Sequence, residues 1–171
     1  MIFFNKKKNK LNEIYNKIVQ QSKNSFYLIS NESPGVEVTL EFFQLNLIII
    51  LWYMKSNNVQ DKYIMYLVKR FISDLENLFI ELGGSETSLR KKIRPIVENF
   101  YGRLYSFSLT FDHLEKDKER LSFNKLIKNN FKYKVKRKLL DIYIKNNIIF
   151  FRKLKINDFW DMNFDFLNVN K

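Results

Sequence analysis

Apolar residues recur along this chain at steps of three and four, and that spacing predicts five helices. From 8 to 24, Leu11, Ile14, Tyr15, Ile18 and Val19 share one face. The segment SFYLISNESPG, closing on Pro34-Gly35, breaks the pattern. A second helix is predicted over 37–55, apolar on most sides as a central helix would be. KSNNVQ reads as a turn. A third helix over 60–82 carries Ile64, Leu67, Val68, Phe71, Leu75, Leu78 and Phe79. It should stop at Gly83-Gly84, because glycine accepts the left-handed conformation. The hydroxyls of SETS offer N-caps for a fourth helix over 88–112, with Ile93, Val97, Phe100, Tyr101, Leu104 and Phe111 as its apolar positions. Pro95 lies inside it and is expected to kink it. After the polar connection HLEKDKERLS, a fifth helix over 122–150 has Leu126, Ile127, Phe131, Val135, Leu139 and Ile142 on one side. The aromatic C-terminal stretch has room for a short helix. The pattern predicts an all-α bundle of about five main helices in a single domain over 1–171.

Composition supports the helical reading and removes much chemistry. Four Gly and two Pro are too few for many tight turns. With no cysteine, disulfides, thiol chemistry and Cys/His zinc sites are excluded. The lone histidine, His113, follows Asp112, but adjacent helical residues point apart, so a surface position at a helix end is expected. No phosphate-cradling glycine loop, HExxH motif or EF-hand loop is present. No catalytic, cofactor-binding or metal-binding residue and no small-molecule substrate is proposed, and a binding protein is favoured over an enzyme. An enzyme would have to use the carboxylates Asp74, Glu76 and Glu81. The apolar run LEFFQLNLIIILWYM is about five residues short of a bilayer span and holds Glu41, Gln44 and Asn46. It reads as a buried helix. The N-terminal MIFFNKKKNK has too short an apolar part for a secretory signal.

Charge sharpens the picture. The net charge is +12. Residues 1–115 hold 15 Lys/Arg against 12 Asp/Glu, whereas 116–155 hold 14 against 3. The excess therefore falls on the fifth helix and its approach, including KYKVKRK at 132–138. Lys132, Lys134, Lys136, Arg137 and Lys138 are the candidates for an anionic surface, either ribosomal RNA or lipid head groups.

The run DLENLFIELGGSETSLRKKIRPIVENFYGR, 74 to 103, resembles the ubiquinol–cytochrome c chaperone family. Asp74, Glu76, Glu81, Gly83, Ser88, Lys91, Lys92, Glu98, Phe100, Tyr101, Gly102 and Arg103 fall in register with that family's pattern, which closes on Glu-x-Phe-Tyr-Gly-Arg. IYNKIVQQSKNSFY is similar to its opening helix, LEFFQLNLIIIL to its apolar second helix, and LIKNNF with Asn130 and Tyr143 to its last. Thr39 and Asn46 stand where members tend to have an arginine and a histidine, and Pro95 is unusual in the basic helix.

The resemblance implies a non-catalytic, all-helical chaperone that receives newly made cytochrome b and assists assembly of respiratory complex III. It further implies a bacterial cytoplasmic protein peripheral to the inner membrane (the matrix side in mitochondria), a small helical partner and proximity to the ribosome. A basic helical RNA- or ribosome-binding protein without a cytochrome client is the alternative. Two expectations attach to the end of the signature. Gly102 costs a helix interior about 1 kcal/mol relative to alanine. With Ser106 and Thr110 at i+4 and i+8, it should form a notch for a neighbouring helix of the same chain. Arg103 should pair with Asp74 or Glu76 of the preceding helix.

Overall fold

The computed structural model describes residues 2–25, 35–114, 120–131 and 135–169, and every regular element among them is a helix. Helix α1 spans Ile2–Asn24, α2 Val36–Ser56, α3 Asp61–Glu81, α4 Glu86–Asp112, α5 Arg120–Asn130, α6 Arg137–Lys153 and α7 Ile156–Trp160.

Every residue of α2 from Glu41 to Met54 is buried. A helix that is apolar on most sides needs neighbours on most sides. Helices α1, α3, α4 and α6 supply them, and α5 packs against α4 and α6. At 21 residues α2 is longer than the apolar run suggested, and long enough to cross a bilayer. However, 78% of its most apolar window is buried inside the bundle, so it is used as the central core helix.

Side-chain pairs fix the helix directions. Phe43 stacks on Phe71 and Lys55 pairs with Asp61, so α3 returns antiparallel to α2. Trp52 Nε1 donates to Asp112 while Arg103 reaches Gln44, so α4 runs parallel to α2. Helix α6 is also parallel to α2, with Tyr143 on Asn46 and Phe151 on Tyr53. Helix α1 lies parallel to α3: Lys7 sits over Tyr63, Lys8 over Tyr66, and Arg70 over Tyr15. One end of the bundle therefore gathers the starts of α1 and α3 with the ends of α2, α4 and α6.

The α3–α4 corner is built by its glycines. Gly83 takes a φ of +82°, Gly83 N–H donates to Ile80 O and Gly84 N–H to Phe79 O, both at 2.9 Å. This is the double closure of a Schellman motif. A Cβ on Gly84 would sit 2.7 Å from Phe79 O, so glycine is required there by space as well. Ser85 occupies the N-cap of α4, but its hydroxyl makes no cap bond. Instead Ser88 Oγ donates to Ser85 O. Helix α4 continues through Pro95, which deprives the Lys91 carbonyl of its i+4 donor.

The single fifth helix expected over 122–150 is two helices. The chain leaves α5 after Asn130 and re-enters α6 at Arg137. Lys132/Lys136 and Lys134/Lys138 would be like-charged i,i+4 pairs on a continuous helix, which disfavours it. Asn130 turns its amide back onto Leu126 O and closes α5. The C-terminal helix is α7, followed by an extended tail across α1 and α6. Asn147, fully buried, donates to Leu167 O and accepts from Leu167 N–H, both at 2.9 Å, as a neighbouring strand would. Phe164 and Phe166 both close on Phe151.

Two buried tyrosines couple this core to pH. Burial, with Asp158 adding to it, raises the Tyr53 hydroxyl to about 12. Burial raises Tyr15 further still, reinforced by its hydrogen bond to Asp74. The unfolded chain releases both protons near pH 10, which the folded chain retains. Their stabilisation is therefore complete below pH 10 and is lost as pH climbs from about 10 toward 12. Urea titrations across that window should show a steep fall for the wild type and a shallower one for Tyr53→Phe; parallel curves would remove Tyr53 from the account.

Candidate functional site

The signature residues divide among different environments on α4. Phe100 is fully buried against Phe71, with ring centroids 5.0 Å apart. Tyr101 is 43% exposed. Arg103 is drawn in between helices. Its Nη1 donates to Gln44 Oε1 at 3.0 Å, and its Nη2 donates to Glu41 Oε1 at 3.2 Å and to the Asn130 carbonyl at 2.6 Å. One guanidinium thus joins α2, α4 and the last residue of α5. A cation at a helix C-terminus also meets the negative end of the helix dipole. Phe131, next along, packs on Phe42 and seals the same junction.

The expected partner of Arg103 is therefore corrected. It pairs with Glu41 of α2, not with Asp74 or Glu76. Those two lie on the exposed side of α3, and Asp74 is engaged by Tyr15 of α1. Glu81 is exposed at the end of α3. The three carboxylates do not converge: Asp74 borders a shallow cavity with Tyr15 and Phe71 that neither Glu76 nor Glu81 lines. Among the described residues no group of three His, Asp or Glu side chains is placed to hold a metal. Exposed His113 caps the C-terminus of α4. The basic residues of the signature are on the surface: Lys91 and Lys92 are exposed, with Lys92 over the Phe79 ring, and Glu98 pairs with Arg94 at 2.7 Å.

Gly102 is also corrected. A Cβ built there meets nothing within 4 Å, so no helix among the described residues occupies the notch. The glycine borders an open groove of about 580 Å³. Its walls include Leu40, Gln44, Asn99, Ser106 and Asn129, with the Arg103 junction as one end. A second groove, about 550 Å³, runs on the other side of α4 between Leu51, Trp52, Ile64 and Leu104. Between the two stands a ridge of exposed side chains at i, i+4 and i+8: Tyr101, Tyr105 (69% exposed) and Leu109 (46% exposed). The sequence reading missed this ridge and counted Tyr101 with the apolar positions of the helix; the spacing that turns Phe100, Leu104 and Phe111 inward leaves Tyr101, Tyr105 and Leu109 outward.

The anionic-surface candidates fare differently. Lys132 and Lys134 lie outside the described residues. Lys136 is the N-cap of α6, and Arg137 and Lys138 are exposed in its first turn. Among the described residues, Lys136, Arg137 and Lys138 thus open α6 instead of lying inside one helix that begins near 122.

The junction makes two stability predictions. Arg103→Met leaves the Glu41 carboxylate enclosed without its cation and should cost about 3–5 kcal/mol in chemical denaturation. Gly102→Ala should instead stabilise by about 0.5–1 kcal/mol, since the added methyl meets open space and alanine favours helix.

The ubiquinol–cytochrome C chaperone family matches over residues 31–138, from the approach to α2 into the first turn of α6. A crystal structure described as the Cbp3 homolog from Brucella abortus shares the fold, with a TM-score of 0.77 and 16% identity, covering 98% of this chain and 97% of that one. No match is found among curated proteins. With well over half of its length matched, the chain belongs to the ubiquinol–cytochrome C chaperone family.

Proposed function

We propose that this chaperone binds newly made cytochrome b on the exposed face of α4 during assembly of respiratory complex III. Family membership supports the chaperone role, and the exposed Tyr101–Tyr105–Leu109 ridge between two grooves supports the place. Exposed aromatic and aliphatic side chains in one line are what an apolar client helix would bury. Gly102 keeps the flank of the ridge low, so a client backbone can approach closely there. On this reading the cost of a helix-interior glycine is retained for the client rather than for a neighbouring helix.

The same reading places the small helical partner in the apolar groove beside Leu104 and Trp52. It places the ribosome or another anionic partner near Arg137 and Lys138. These cations sit in the first turn of α6, where the helix dipole disfavours them, and an anion would offset that cost. Attachment to the cytoplasmic side of the bacterial inner membrane is peripheral on this view, because α2, which is apolar enough to span, is committed to the core. The work is binding and shielding rather than catalysis.

Tyr105→Ala should leave stability within about 0.5 kcal/mol, as an exposed substitution does. Gly102→Leu should do the same to within about 1 kcal/mol, since its side chain enters the groove rather than the core. Both should lower co-purification of cytochrome b with the tagged chaperone from native cells at least about ten-fold. Wild-type recovery of cytochrome b by both variants would move the client away from α4.

A further inference from the structure

The chain carries a second cationic surface that its charge tally conceals. Residues 1–115 are nearly neutral in sum, yet Lys6, Lys7, Lys8 and Lys10 fall within five residues that hold no carboxylate. The parallel packing of α1 on α3 brings them to the start of α3, beside Lys62. Among the described residues Lys6, Lys7 and Lys8 form no ion pair, whereas Lys10 is taken by Glu13 at 3.1 Å. Asp61, the carboxylate beside Lys62, is held by Lys55. Two carboxylates, Asp158 of α7 and Asp161 next to Trp160, offset part of this charge.

Aromatic rings lie beneath these lysines. Lys7 Nζ stands 5.1 Å from the Tyr63 ring centre and 5.0 Å from that of Trp160. Lys62 stands 5.0 Å from Tyr63 on its own helix, and Lys8 stands 5.8 Å from Tyr66. Met65, 41% exposed, adds an apolar side chain on α3 nearby. Lysines over the buried Tyr63 ring and the half-buried Tyr66 and Trp160 rings, with an apolar side chain alongside, match the chemistry of a bilayer's head-group layer. They suit single-stranded RNA less well. Tyr63 is buried beneath Lys7 and Lys62, so the ring at the centre of the patch offers bases no stacking platform.

We propose that the bundle end formed by the start of α1, the start of α3 and α7 docks on anionic phospholipid. The membrane anchor then lies there and not at 132–138. The proposal takes peripheral placement from the reading above but needs no client. Its failure is therefore read from vesicles alone, and failure of the client reading from cytochrome b capture alone.

The test is flotation of the full chain with phosphatidylglycerol/phosphatidylcholine vesicles against pure phosphatidylcholine, at low and high salt. The wild type should float only with the anionic vesicles, and less at high salt. Lys6→Gln, Lys7→Gln, Lys8→Gln and Lys62→Gln combined should lower partitioning at least about a hundred-fold, at roughly a five-fold loss per lysine. Arg137→Gln with Lys138→Gln should leave it within about three-fold of the wild type on the same scale. Equal flotation of the four-lysine variant, or loss in the Arg137/Lys138 variant instead, would overturn the assignment. So would binding of naked RNA with a steep salt slope in the absence of vesicle binding. Should the four-lysine variant not fold, the native protein decides. Of its two tryptophans Trp52 is buried, so quenching by brominated phosphatidylglycerol reports Trp160. Quenching supports the proposal and its absence rejects it.

Discussion

The guanidinium of Arg103 sits where α2, α4 and the end of α5 meet, and the geometry of the candidate site follows from what it holds. Helix α2 is the core of the bundle, yet it carries Glu41 and Gln44 on one face at i and i+3. An enclosed carboxylate in an otherwise apolar helix is tolerable only with a cation and matched hydrogen bonds. Arg103 meets both residues and spends a further donor on the Asn130 carbonyl, which fixes where α5 stops. Asn130, held in this way, also lines the open groove beside Gly102. The clamp and the groove are thus one construction.

A second polar chain crosses the same central helix and has a different role. Tyr143 donates to Asn46 Oδ1 at 2.7 Å, Asn46 donates to Ser22, and Ser22 donates to Ile18 O. It ties α6, α2 and α1 together with every member buried. In low-dielectric surroundings a satisfied network specifies register, since any slip leaves a buried donor unpaired. Asn46, which the resemblance set where members tend to have a histidine, sits here inside a hydrogen-bonded network. Thr39, the other departure, simply bonds back to Gly35 O.

Much of this could be read along the chain, and the failures have a common cause. The first four helices, the stop at Gly83-Gly84 and the central place of the second helix follow from local periodicity and backbone preference, and both are local properties. The fifth helix failed because three/four spacing persists across 122–150 while like charges and Asn130 interrupt the backbone. Arg103 was rightly expected to be paired but was given the wrong carboxylate. Asp74 and Glu76 are near in sequence, whereas Glu41 is brought in by the bundle's topology. The available signal was Glu41 and Gln44 themselves, a polar i,i+3 pair inside an apolar helix that demanded a partner. Gly102 misled for the same reason: a small-residue stripe states that something can approach but not what.

The two exposed features left by the fold also differ in kind, which bears on how such a chaperone could work. The α4 ridge is apolar and flanked by grooves, so its affinity would scale with the client surface that it buries and change little with salt. The lysine-over-aromatic end draws on a surface potential that salt screens within about 10 Å. A protein that must hold an apolar segment until assembly proceeds gains by separating these terms. Electrostatic attachment can keep it near the bilayer without competing for the surface that holds the client, and neither site must be emptied for the other to act. The parallel packing of α1 on α3 permits that separation, because it sends the lysine patch to one end of the bundle while the ridge runs along its side.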